Sequence, residues 1–177
     1  FRREANIFRD RAEELLLVQK FDTNRATEGL LLMMQPILSL QAPQRSLNFE
    51  TLLRMRTPDG GIVPAGKVIA TAENNGRIAV IDRWVMRTLL EWLDVNHDRL
   101  DATRFVCMNL SGGSLNDERF IGDAFAMLAE HRRSAQRLCI EVTEGVALSD
   151  LGNTKKFIDR VRDYGTRIAL DDFGAGY

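Results

Sequence analysis

The chain has 177 residues, 45% of them hydrophobic and 28% charged, which is enough apolar mass for one core in a soluble chain. A formal net charge of −1 argues against a protein that grips long nucleic acid by its backbone, since that takes a basic face. It leaves room for a small phosphorylated ligand held through metal ions. The longest apolar run, Leu30 to Met34, is far too short to cross a bilayer, and no signal peptide is visible. A first residue Phe1 in place of Met suggests a piece of something longer.

Residues 1 to about 20 read as a helix, because Phe1, Ala5, Phe8, Ala12 and Leu15 alternate steps of four and three. Two readings stay open: a helix packed on its own domain, or a signalling linker that pairs across a homodimer. A boundary at the polar stretch from Asp22 divides the chain into a linker helix, 1–22, and a domain, 23–177. Leu30 to Leu38 is a strand running into Gln35-Pro36, and the proline points to a strand end or edge. Leu47 to Arg56 is a second strand. Alternation puts Glu50 and Arg54 on one face, about 13 Å apart at roughly 3.3 Å per residue. Thr51, Leu53 and Met55 take the other face. The spacing is hairpin-like, so this first pair should be antiparallel.

Thr57-Pro58-Asp59-Gly60-Gly61 is a turn. Pro64 is placed to open a short helix that closes near Asn75-Gly76. Ile78 to Leu93 is a long amphipathic helix, with Ile81, Trp84, Val85, Leu89 and Trp92 on its buried side. Regular units follow. Strand 104–111 leads through Gly112-Gly113 into a helix from about Asp117 to His131, where the imidazole suits the negative end of the helix dipole. Strand 138–144 leads into a helix from about Asn153 to Tyr164, closed by Gly165, and strand 167–172 comes last.

Each of these later strands is an apolar run that ends in oxygen-bearing side chains. Asn109, Glu141 and Asp171 are 32 and 30 residues apart (141−109, 171−141), about one strand-plus-helix unit of a barrel of roughly 250 residues. With Glu50 and Asp172 they form a mostly anionic oxygen set with no His or Cys in ligand spacing, which fits magnesium or manganese. Two adjacent aspartates let one carboxylate bridge two ions while the other holds the second, as in two-metal phosphoryl chemistry. Cys107 and Cys139 lie two residues before ligands and share their face, as buried reduced thiols. Asp171-Asp172-Phe173-Gly174 contains a kinase-like Asp-Phe-Gly, but neither His97 nor His131 sits in a His-Arg-Asp loop.

Gln35-Pro36-Ile37, Glu50-Thr51-Leu52-Leu53-Arg54, Asn109-Leu110-Ser111, Glu141-Val142-Thr143-Glu144 and Asp171 to Tyr177 resemble, in order, the signature of the EAL-domain family of bacterial cyclic di-GMP phosphodiesterases. The resemblance runs from about Leu30 to the end. It implies an α/β fold, a TIM-like barrel with an antiparallel first strand pair, present here in part behind an N-terminal helix. It implies that Glu50, Asn109, Glu141 and Asp171 ligate a first Mg²⁺ or Mn²⁺, and that Asp171 and Asp172 hold a second. Glu144 would brace a substrate-side loop, while Gln35, Leu53 and Arg54 would contact cyclic di-GMP, with Arg54 on a phosphate. The family reaction is attack of activated water on one phosphodiester to give linear pGpG. Catalytic weight would then fall on Glu50, Asp171, Asp172 and Glu144.

The resemblance also implies a cytoplasmic domain fused to an upstream sensor or GGDEF-type domain, within a larger protein that is membrane-anchored or not. Two departures stand out. Thr51 replaces the family's name-giving Ala and points away from Glu50. The family's later Lys, a further metal-binding Glu and a late Gln have no counterpart in these residues, so the site is expected to be incomplete within this chain. The alternative is an EAL-type receptor that binds cyclic di-GMP without hydrolysis, or an assembly module.

Overall fold

The computed structural model describes residues 14–23, 25–41, 47–143, 146 and 151–171 of the chain. Two antiparallel strands open a six-stranded sheet and three parallel strands extend it, in the order β1-β2-β4-β5-β6. β1 (Leu30–Ile37) pairs along its whole length with β2 (Asn48–Arg56), Gln35 facing Glu50 and Leu31 facing Arg54. The expected hairpin-like pair is therefore present. The other edge of β2 is shared. Its first half pairs in parallel with β4 (Val106–Asn109), and its second half antiparallel with β3 (Ile62–Pro64). β5 (Leu138–Thr143) and β6 (Arg167–Asp171) complete the parallel run.

Helices fill each parallel crossover. α1 covers residues 14–21; α2 (Gly66–Asn74) and α3 (Ile78–Asn96) lie between β3 and β4. The single turns α4 (Gly112–Leu115) and α6 (Arg132–Ala135) flank α5 (Glu118–Glu130), and α7 (Leu151–Arg162) precedes β6. α3 is the central helix. Ile78, Ile81, Val85, Met86, Leu89, Leu90 and Leu93 are buried at helical spacing. They meet Val106, Met108, Leu138 and Ile140 from the helix-facing side of the strands, and Phe120, Met127 and Leu128 from α5. Burial of each such side chain contributes about 1.5–3 kcal/mol against the cost of ordering the chain. Asp117 starts α5 as expected, its carboxylate accepting from the backbone N–H of Arg119 (2.9 Å) and Phe120 (3.0 Å). Gly165, at φ 80°, supplies the left-handed turn after α7.

Several expectations change. Strand 104–111 contracts to Val106–Asn109 because the Asn48 side chain accepts the N–H groups of Arg104 (3.0 Å) and Phe105 (3.2 Å), taking them out of the ladder. Pro64 ends the edge strand β3, where a missing N–H costs nothing, and the helix starts at Gly66. Gly112 and Gly113 lie in α4, a turn of helix ahead of the expected one. Trp84 and Trp92 only partly flank the core, and Asp82 stands in the buried stripe instead. Leu15 is 60% exposed, whereas Leu17 and Phe21 turn toward the core; the earlier members of the expected stripe lie outside the described residues. Among the described residues no helix is long and apolar enough to cross a membrane.

Candidate active site

Residues paired across a sheet point to the same side, so the register decides which side chains can meet. Val106, Met108, Leu138 and Ile140 face the helices, which sends the residues between them to the concave side. There Glu50, Cys107, Cys139 and Arg167 form one row. Asn109 and Glu141 form the next row on the same side, paired directly. Asp171, paired with Thr143, is one row further on. The candidate ligands therefore climb four residues (171−167) from β2 to β6. A TIM barrel shears by about one residue per strand, so a staircase in register becomes a ring about the barrel axis.

The ring begins with a hydrogen bond from the Asn109 amide nitrogen to a Glu50 carboxylate oxygen at 3.1 Å. Glu141 follows. Burial pushes its carboxyl above the usual range; the Cys107 thiol pulls it down by hydrogen bonding, and the charges of Glu50 and Asp171 push it up again. Cys107 and Cys139, both free and buried, lie beneath Asn109 and Glu141 as expected. Their thiols hydrogen-bond each other; that contact, burial and the Glu141 carboxylate hold the Cys107 thiol far above its ordinary pKa. Thr51 points the other way, donating its hydroxyl to the Cys107 carbonyl at 2.6 Å.

Gln35 pairs opposite Glu50 and is exposed. Arg54 shares that side, its guanidinium donating to the Leu53 carbonyl at 2.8 Å. Leu53 turns to the Thr51 side and packs against the core, and it lines the same cleft as Arg54 and Asn109. Glu144 and Asp172 lie outside the described residues. Among the described residues no three His, Cys, Asp or Glu side chains stand close enough to hold an ion by themselves. The donor set nevertheless fits a hard divalent cation in chemistry, offering three carboxylates and an amide oxygen.

A cleft of about 210 Å³ opens beside this ring, lined by Arg54, Asn109, Ser111 and Asp82 among others. Asp82, on α3, is one feature that sequence reasoning missed. Its Oδ2 accepts from the Ser111 backbone N–H at 3.0 Å and the Ser114 hydroxyl at 2.6 Å. Burial raises its pKa to about 6, against the lowering effect of Ser114 and Ser111. The signal available was an acid inside an otherwise apolar helical stripe.

Cyclic di-GMP phosphodiesterase PdeB of Shewanella oneidensis is 33% identical over 148 residues, spanning 84% of this chain and 17% of PdeB. Cyclic di-GMP phosphodiesterase PdeF of Escherichia coli is 28% identical over 169 residues, 96% of this chain and 22% of PdeF. The chain thus spans less than a quarter of the length of either relative. Among solved structures, the PaMucR phosphodiesterase in its c-di-GMP complex superposes with a TM-score of 0.77 at 26% identity, covering 92% of this chain and 65% of that one. The EAL domain model matches residues 18–177, which takes in every strand of the sheet and the whole ring of oxygen donors, and the chain belongs to the EAL domain family.

Proposed function

We propose that this chain carries the metal side of a cyclic di-GMP phosphodiesterase, which cleaves one phosphodiester of its substrate to give pGpG. The observation that carries the reading is the oxygen ring of Glu50, Asn109, Glu141 and Asp171 on one side of four neighbouring strands. These four side chains would hold one Mg²⁺ or Mn²⁺, and Asp171 and Asp172 would help hold a second. Such ions supply charge neutralisation at the phosphate and an activated water when bound.

The chain's own residues divide the remaining work. Asn109 orients the Glu50 carboxylate by donating to it. The Cys107 thiol beside Glu141 lowers the pKa of that carboxyl and so favours its ionised, ligating form. Arg54 stands on the same side as Glu50 and would turn its guanidinium from the Leu53 carbonyl to a substrate phosphate. Gln35, exposed opposite Glu50, would meet the dinucleotide, as would Leu53, which lines the same cleft as Arg54. Glu144 would brace the loop after β5. Residues 1–22 would serve as a linker helix from an upstream sensor or GGDEF-type domain, ahead of an EAL domain from residue 23.

The test is to incubate the full-length protein with cyclic di-GMP and Mg²⁺ or Mn²⁺ and follow pGpG by chromatography. Metal-dependent pGpG formation is expected. Tight cyclic di-GMP binding with no pGpG at saturating metal would overturn the enzyme reading in favour of a receptor.

A further inference from the structure

Asp82 is 5% exposed, seated on α3 between Ile81 and Val85. A carboxylate in such surroundings costs several kcal/mol unless hydrogen bonds satisfy it. The hydrogen bonds it makes run to the turn between β4 and α4. Oδ2 accepts the Ser111 N–H at 3.0 Å and the Ser114 hydroxyl at 2.6 Å, and nearby Arg83 is paired instead with Asp123 at 2.7 Å. Both donors are neutral.

This turn is the one that carries Asn109. Asn109 is the last residue of β4, paired in register with Glu141. The next residue is tied to β5, the Leu110 N–H donating to the Glu141 carbonyl at 2.8 Å. The residue after that is tied to α3 through Asp82. Ser111 occupies the N-cap of α4 yet makes no capping bond with its own side chain, so the capping position is held from outside by Asp82. The chain leaving Asn109 is therefore fixed on two sides, by a strand and by a helix. The Asn109 amide is left to reach Glu50 across the ring at 3.1 Å.

We infer that Asp82 is a positioning residue for the ring: by gripping Ser111 and Ser114 it sets Asn109 against Glu50, and so controls how well a divalent cation is held. Asp82 touches neither ion nor substrate in this arrangement. The inference rests on the proposed function, because it takes the ring to be a cation site.

The experiment uses the full-length protein with Mn²⁺ as the probe, comparing wild type with Asp82→Ala, Asp82→Asn and Ser114→Ala. Mn²⁺ affinity is read by calorimetry and electron paramagnetic resonance, and protection of the turn by hydrogen exchange of the peptide holding Ser111. Loss of a partner hydrogen-bonded directly to a metal ligand typically costs about 10–100-fold in metal affinity; Asp82 acts one step further out, through the turn, so Asp82→Ala should lose about tenfold. Asp82→Asn keeps an acceptor oxygen and should stay within about threefold of wild type, while Ser114→Ala, which removes one donor, should fall between. The KM for cyclic di-GMP at saturating Mn²⁺ should not move. A folded Asp82→Ala protein that binds Mn²⁺ within twofold of wild type would overturn the inference. If that variant fails to fold, Ser114→Ala decides: unchanged Mn²⁺ affinity with a deprotected Ser111 peptide overturns it as well. Wild type that binds no Mn²⁺ would instead sink the proposed function, and this inference with it.

Discussion

Replacing Asp82 by Asn should change the way stability depends on pH. Burial raises the Asp82 carboxyl from 3.8 to about 6, opposed by hydrogen bonds from Ser114 and Ser111 and slightly assisted by Glu73 on α2. Between these two values the native protein keeps a proton that the unfolded chain releases. The stability tied to that proton is full below pH 4 or so and disappears as pH rises through about 6. A shift of about two units corresponds to about 3 kcal/mol, an upper figure because the folded site can relax. The amide introduced by Asp82→Asn stays neutral throughout, so the variant should lack this loss. Urea melts of the full-length protein, followed by the fluorescence of Trp84 and Trp92 on the same helix, give the stability difference between variant and wild type at each pH. Groups common to both proteins cancel in that difference. It should move by about 2 kcal/mol in favour of Asn between pH 4.5 and 7.5. Parallel curves, within about 0.5 kcal/mol across the range, would mean that Asp82 does not titrate as a buried acid and that the reasoning from its burial is wrong.

Asp171→Asn in the full-length protein should lower pGpG formation by about a thousandfold at unchanged fold, since it removes a ligand charge without changing size; near-normal turnover with metal retained would take Asp171 out of the site. Thr51→Val removes the buried hydroxyl that donates to the Cys107 carbonyl and should cost about 0.5–1.5 kcal/mol in urea melts while leaving KM alone. Gly113→Ala should destabilise by about 1–3 kcal/mol, against the usual gain from alanine in a helix. The added Cβ would lie 2.8 Å from Ile78 Cγ2, so Gly113→Ala should cost much less in an Ile78→Ala background, and additive losses in that double-mutant cycle would contradict the contact.

What was legible in the sequence followed from periodicity. The parallel strands show as short apolar runs, and alternation puts Asn109 and Glu141 on the side away from Val106, Met108, Leu138 and Ile140. The antiparallel first pair follows from the short spacing between two strands. The features missed share a different cause, since each depends on a partner far along the chain. β3 is three exposed residues with no periodicity of its own, held as a strand by Arg54, Met55 and Arg56. β4 starts late because Asn48, 56 and 57 residues upstream of the two groups, captures the N–H donors of Arg104 and Phe105. Asp82 gave an acid in an apolar stripe, but only the fold reveals that Ser111 and Ser114 are waiting for it. The tryptophans misled by size: Trp84 and Trp92 flank the core beside β1, and smaller residues of α3 fill its centre.

Asp82 and Glu141 are both acids raised by burial, and the contrast between them separates scaffold from site. Around Asp82 the neighbouring polar groups are donors, and the turn they belong to closes on the carboxylate. The charges that raise Glu141 are those of Glu50 and Asp171, themselves anionic. Asn109 and Cys107 contribute neutral donors to this group, each worth about 1.5–3 kcal/mol at most when bonded to a charge. Glu50, Glu141 and Asp171 put three like charges on one side of the sheet, and Glu141 feels the other two as repulsion. A divalent cation, as the proposed function has it, would offset that repulsion directly, because every acceptor that repels its neighbours attracts the ion. The scaffold acid is completed by the chain's own N–H and O–H groups, whereas under the proposed function the ring would be completed by a divalent cation.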